Sequence, residues 1–226
     1  MIIGNKPTKL QIKKIEEYIE KYIYLYPDYL QEEIKEKIYL GFTNNNDTIN
    51  QIYCFLNIVD DSLNPYLFFY KTIQNRFVLE NKKILEIGAG TVPILAKIIK
   101  DNCNSKITLI DPLLICELSK GLDIKKEEFN EQFNILQYDI LIGYNPCRAT
   151  EDLIKFSILN KKDFCVATCG CCFLPEEYVD KSSKAWHYYL IDLAKEYGQN
   201  NYEIFIDYFS TEFNIDYPII SGKYLN

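Results

Sequence analysis

The sequence predicts an α/β fold: a mostly parallel sheet with an antiparallel last strand, helices on both faces, and an all-helical segment in front. Three observations predict it. The first 80 residues carry apolar positions at helical spacing, short apolar runs alternate with helical stretches from Lys82 onward, and the final apolar run follows its predecessor too closely for a crossover helix.

Each element has a local reason. Between Lys9 and Tyr26, the side chains Ile12, Ile15, Ile19, Tyr22 and Tyr26 recur every three or four residues and form one helical stripe, which Pro27 ends. Leu30, Ile34 and Ile38 mark a second helix that stops at Gly41, with Asn44, Asn45, Asn46 and Asp47 as loop and cap. A third helix is expected from about Thr48 to Asp60. Asn64 as N-cap and Pro65 as a pre-set first residue open a fourth, from Tyr66 to about Leu79. These stripes read as core packing, since they are too short to define a coiled-coil seam. Lys13, Lys14, Glu16, Glu17, Glu20 and Lys21 read as a solvated face of mixed sign.

Strands are expected at Lys83–Ile87, Lys106–Ile110, Ile124–Phe129, Tyr138–Tyr144, Asp163–Thr168 and Tyr202–Tyr208. Helices are expected at Pro93–Asp101, Glu151–Asn160 and about Pro175–Tyr197, while the third-to-fourth strand connection is too short for a full helix. After the loop Phe209–Tyr217, the run from Pro218 to Tyr224 supplies the antiparallel strand. The expected organisation is therefore a helical segment, 1–80, and a sheet domain, 81–226.

With 226 residues, 48% apolar and 15% aromatic, the chain can bury a full core. It has no stretch of about 20 apolar residues that would cross a bilayer, and its first residues lack a signal peptide's apolar run, so a soluble, cytoplasmic protein without a membrane partner is expected. Eight cysteines then read as reduced thiols rather than a disulfide framework. A net charge of -7 and a pI near 4.9 disfavour a nucleic-acid partner, because Lys and Arg carry phosphate affinity.

Gly88, Gly90, Gly143 and Gly170 all fall at carboxyl ends of expected strands, with Pro93, Pro112 and Pro146 in the adjoining turns. Ligands of open α/β sheets bind at that edge, although any strand-to-helix turn also welcomes Gly or Pro. The strongest segment runs from Lys83 to Leu95: an apolar strand, the turn Gly88-Ala89-Gly90, then an apolar helix. Glycine lets the backbone approach a ligand, and the helix start behind it favours acceptor groups. Asp111 follows Gly90 by 21 residues at the end of the second strand, where a carboxylate can accept bonds from both ribose hydroxyls.

These residues resemble motifs I and II of the class I S-adenosylmethionine-dependent methyltransferases, which have a Rossmann-like fold, and the likeness extends in strand order from about residue 82 onward. Glu86, two residues before the first glycine, is typical of that family, whereas nicotinamide-binding domains usually carry an apolar residue there. The resemblance implies S-adenosylmethionine as cofactor. It places Glu86, Gly88, Ala89 and Gly90 beside the methionine end, Asp111 at the ribose, and Pro112 and Leu113 at the adenine, with Tyr144 also at the cofactor. Val92 stands where family members often have a third glycine, and the acidic adenine contact after the third strand has only Glu127 and Glu128 as candidates, an exposed pair.

The chemistry edge holds Asn145-Pro146-Cys147-Arg148 after the fourth strand and Thr168-Cys169-Gly170-Cys171-Cys172 after the fifth. Asn145-Pro146 resembles half of the Asn-Pro-Pro-aromatic motif of amino-directed methyltransferases, and Pro146-Cys147 with Thr168-Cys169 resembles the two cysteine motifs of RNA cytosine-5 methyltransferases. The cysteines could also be zinc ligands, but Cys-x-Cys-Cys lacks the usual spacing, and no metal is expected. Small buried hydrophobes are the plainest reading of these thiols. Asn145 and Cys147 are the candidate catalytic residues. His187 is the only histidine and reads as an ordinary helical one, and Glu151 and Asp152 suit a helix start as well as acid–base work. The expected activity is methyl transfer to a small-molecule acceptor, with residues 1–80 as lid and substrate cap and Tyr66 or Tyr70 near the cofactor. Two alternatives remain open: aminopropyl- or aminobutyryl-type transfer resembling nicotianamine synthases, whose turn is also Gly-x-Gly-x-x-Pro-like, and a non-catalytic interaction protein.

Overall fold

The computed structural model describes residues 6–42, 47–169, 183–209 and 217–225. The chain forms two compact units, Met1–Asn64 and Pro65–Asn226.

In the first unit, Thr8 opens α1 (Lys9–Tyr22) with a capping box: its hydroxyl accepts the Gln11 N–H, and the Gln11 side chain accepts the Thr8 N–H. The helix buries Ile15 and Tyr18, while Ile12 and Ile19 are only partly covered, so the buried stripe includes a tyrosine the apolar spacing did not mark. Tyr18 tolerates burial because its hydroxyl meets that of Tyr26 at 2.6 Å. A 3-10 turn, Ile23–Leu25, carries the chain to Tyr26 ahead of Pro27. Next come α2 (Asp28–Lys37), which buries Ile34, and α3 (Asp47–Phe55). The third helix ends before Asp60 because Asn57 turns to φ 52 and the Ile58 N–H bonds back to the Tyr53 carbonyl.

The second unit begins at α4 (Pro65–Arg76), not at residue 81. The reason is burial: Phe69, Tyr70 and Ile73 join the same apolar cluster as the strand residues Ile84 and Leu109. The elements that follow are β1 (Lys83–Ile87), α5 (Ile94–Asn102), β2 (Lys106–Ile110), β3 (Asp123–Lys125), β4 (Ile140–Tyr144) and α6 (Thr150–Leu159). They are succeeded by β5 (Asp163–Ala167), α7 (Ser183–Gly198), β6 (Tyr202–Tyr208) and β7 (Pro218–Tyr224).

The sheet order is β3-β2-β1-β4-β5-β7-β6. The first five strands are parallel, and β7 inserts between β5 and β6, antiparallel to both. Helices cover both faces: Ile84, Leu109 and Ile142 face the cluster that includes α4 and α5, while Leu85, Ile87 and Leu141 face the one that includes α6 and α7. This is the expected mostly parallel sheet with an antiparallel final strand.

Three strands are shorter than the sequence suggested, β5 by Thr168 alone. The edge strand β3 spans three residues rather than Ile124–Phe129, pairing only with Thr108–Ile110 of β2. β4 starts at Ile140, because the Tyr138 N–H turns back to the Ile135 carbonyl. The predicted helix start at Pro175 lies outside the described residues. Among the described residues, no helix is long and apolar enough to cross a membrane.

Candidate functional site

Because β2, β1 and β4 are parallel neighbours, their carboxyl ends share one edge, and the turns leaving them meet there. Gly88 and Gly90 have φ 69 and 71, a region open to glycine and costly for other residues. The Gly88 N–H still reaches the Ile110 carbonyl at 3.0 Å, which extends the β1–β2 ladder into the turn. A Cβ on Gly88 would stand 2.6 Å from Pro146 Cα, so the turn after β1 and the turn after β4 touch at a position only glycine can fill. Val92, the departure from the glycine pattern, is buried, and Pro93 caps α5 rather than forming its first residue.

Asp111 ties this edge together. One carboxylate oxygen accepts the Gly90 N–H at 2.9 Å and the other the Leu113 N–H at 2.7 Å. A carboxylate has about four acceptor positions, so two remain for hydroxyl donors. Leu113, 64% exposed, presents an apolar surface directly beside it, and Pro112 is exposed as well. Glu127 and Glu128 are exposed.

Glu86 is 2% exposed, and its Oε2 has no hydrogen-bond partner among the described residues. Burial pushes its carboxyl up to about 8; a hydrogen bond from the Ala96 backbone opposes the rise, and the Asp111 charge adds to it. Alternation along β1 sets Glu86 beside Ile84, on the face covered by α4 and α5, and Ala96 lies in the first turn of α5. A buried carboxyl whose Oε2 has no partner among the described residues is able to meet a donor or cationic group there.

At the end of β4, Asn145 and Cys147 have φ 51 and 49, flanking the buried Pro146. Two non-glycine residues in the left-handed region within one turn are a concentration of strain of the kind found at functional sites. The turn is held by the Asn145 N–H on the Ala167 carbonyl at 2.9 Å and by the Thr150 hydroxyl on the Cys147 carbonyl at 2.8 Å. Tyr144 stands 4.2 Å, centroid to centroid, from Tyr66 of α4, with Phe69 at 5.8 Å and Phe209 at 6.1 Å. The expectations from the sequence name Tyr66 and Tyr144 but not Phe69 or Phe209, which meet Tyr144 only through packing across 75 and 65 residues of chain. Tyr70, the other tyrosine expected near the cofactor, is buried, and its hydroxyl is unpartnered among the described residues.

The remaining candidates have structural surroundings. Glu151 accepts bonds from Lys155 and from the Tyr189 hydroxyl. Buried His187 places Nε2 3.3 Å from the Cys169 carbonyl, and Cys169 is itself buried. Gly170, Cys171 and Cys172 lie outside the described residues. Among the described residues no three His, Cys, Asp or Glu side chains are grouped to hold a metal ion.

No family model and no curated protein matches the sequence. Among solved structures, a candidate rRNA-methylase from Clostridium thermocellum is similar, with a TM-score of 0.50 at 12% identity over 74% of this chain and 98% of that one. This is the class I methyltransferase fold. The chain is also similar to a methyltransferase from Pyrococcus furiosus, with a TM-score of 0.47, 14% identity and coverage of 74% of this chain and 84% of that one. MtNAS, solved with MTA and tNA, matches at a TM-score of 0.47 and 9% identity over 96% of this chain and 71% of that one.

Proposed function

We propose that the methyltransferase-fold unit binds S-adenosylmethionine at the carboxyl edge of β1 and β2 and transfers its methyl group to a small-molecule acceptor. Glu86 carries this reading. A dinucleotide would bring a pyrophosphate to the glycine turn, where it would oppose ionisation of the buried carboxyl; a ligand with an ammonium and a sulfonium favours the carboxylate and is held by it instead. When bound, S-adenosylmethionine supplies an electrophilic methyl group. The chain supplies binding and orientation: Glu86, Gly88, Ala89 and Gly90 at the methionine end, Asp111 at the ribose, Pro112 and Leu113 at the adenine, and Tyr144 bordering the site. Asn145 and Cys147 face the acceptor in this reading, with Asn145 aligning it. The chain's negative charge supports a small acceptor over a polyanion.

A calorimetric titration with S-adenosylmethionine and, as control, NADH tests the cofactor. Binding of the first and not the second is expected; the reverse would sink the proposal. Because the folded Glu86 binds its proton more tightly than the unfolded one, stability declines as pH rises from the ordinary carboxylate range towards about 8. A cation beside Glu86 favours the carboxylate, so binding near neutral pH is expected to expel a proton. Titrations in buffers of different ionisation enthalpy measure this release, which Glu86→Gln should abolish; an undiminished release in the variant would remove Glu86 from the site.

Two further substitutions separate binding from turnover. Asp111→Ala should weaken S-adenosylmethionine binding by about 1–3 kcal/mol through lost hydrogen bonds. Asn145→Ala should lower kcat while leaving that affinity nearly constant, the pattern of lost transition-state positioning. Equal loss of affinity in both would place Asn145 with the cofactor rather than the acceptor. Once an acceptor is in hand, products decide the class: S-adenosylhomocysteine marks methyl transfer, methylthioadenosine marks transfer of the carbon chain, and neither marks a binding protein.

A further inference from the structure

The opposite edge of the sheet, at the amino ends of β1 and β2, holds a cavity of about 380 Å³ lined by Lys83, Lys100 and Lys106 together with Thr108, Gln137 and Tyr138. That volume is within the roughly 300–1,000 Å³ of small-molecule sites. Lys83 and Lys106 are register partners on parallel strands, so both side chains leave the same face about 4.8 Å apart along the pairing direction. Like charges set side by side on a sheet repel, and an anion between them relieves the repulsion. Lys100 completes the set: its Nζ donates to the Gly121 carbonyl at 2.6 Å, which fixes the ammonium at the cavity and leaves two N–H groups for a ligand.

Other groups in the wall agree. Asp123, the one carboxylate in the lining, already accepts the Thr108 hydroxyl at 2.8 Å. Tyr138 is buried, and its hydroxyl has no partner among the described residues. The β3–β4 connection, residues 126–139, contains no helix, so this crossover lays none over the start of β2. Three lysines gathered at one cavity in a chain of net charge -7 fit a small anion better than a long polyanion, which the remaining surface repels.

We propose that this cavity binds a small phosphorylated metabolite through Lys83, Lys100 and Lys106, at a site separate from the glycine edge and independent of what binds there. Pyrophosphate and ribose 5-phosphate, titrated separately at low ionic strength, serve as probes, with ribose as the phosphate-free control. Both phosphate probes are expected to bind one to one, ribose not at all, and saturating S-adenosylhomocysteine should not displace them. Lys83→Gln with Lys106→Gln should weaken probe binding about tenfold or more, since each removes a charge-assisted contact. Both positions are exposed, so an unchanged melting temperature without ligand confirms that the variant folds. Tyr138→Phe reports whether the buried hydroxyl joins the contact. Failure of both phosphate probes, equal affinity in the double variant, displacement by S-adenosylhomocysteine, or tighter binding of a single-stranded RNA through the same lysines would each overturn the proposal.

Discussion

Replacing Gly222 with alanine is expected to destabilise the protein by about 3 kcal/mol, the upper part of the range for overpacked cores. A Cβ there would lie 2.1 Å from Cε1 and 2.6 Å from Cζ of Phe164, whose ring lies against the glycine of the neighbouring strand. Phe164 is fully buried in the cluster with α6 and α7, so its ring has little room to retreat. Denaturant unfolding should show a lower midpoint with an unchanged m value. The clash is with a side chain, so adding Phe164→Leu should recover part of the loss, leaving the two substitutions strongly non-additive. A Gly222→Ala protein within about 0.5 kcal/mol of the parent would show that the ring can move aside.

Gly88→Ala should act on the candidate site instead. The alanine would have to hold φ 69, at about 1–2 kcal/mol for an L residue, while its Cβ met Pro146 Cα at 2.6 Å and Cβ at 2.8 Å. One of two turns must shift, and both border the proposed ligand. The expected result is about a hundredfold loss in S-adenosylmethionine affinity, equivalent to about 2.7 kcal/mol. Pro146→Ala should not rescue it, because the closest contact is to backbone. Near-normal affinity in Gly88→Ala, measured by the same titration, would show that the glycine turn does not touch the ligand.

The two predictions differ in how they could have been foreseen. Gly88 announces itself in the chain, in a turn between an apolar strand and an apolar helix. Gly222 does not; nothing near it in sequence indicates that Phe164, 58 residues away, will cover it. The same contrast runs through the site. Asp111 was legible from its spacing to Gly90, and the structure joins the two by a hydrogen bond. The contact between Pro146 and Gly88, the burial of Glu86 with Oε2 unpartnered among the described residues, and the ring group around Tyr144 were not legible, because each depends on which strands become neighbours.

By itself, then, the sequence determined the local periods: which stretches form helices or strands, in what order, and where glycine and proline break them. Those choices are short-range, decided by backbone sterics and by apolar residues three, four or two apart. Boundaries slipped where a tertiary contact won, as at α4, which the sheet claims for the second unit, and at β3, shortened at the open edge. The tertiary structure alone decided that β7 enters between β5 and β6, that Lys83 and Lys106 stand side by side, and that the turns after β1, β2 and β4 meet. Strand pairing and burial select these contacts across tens of residues, and no local preference in the chain encodes that selection.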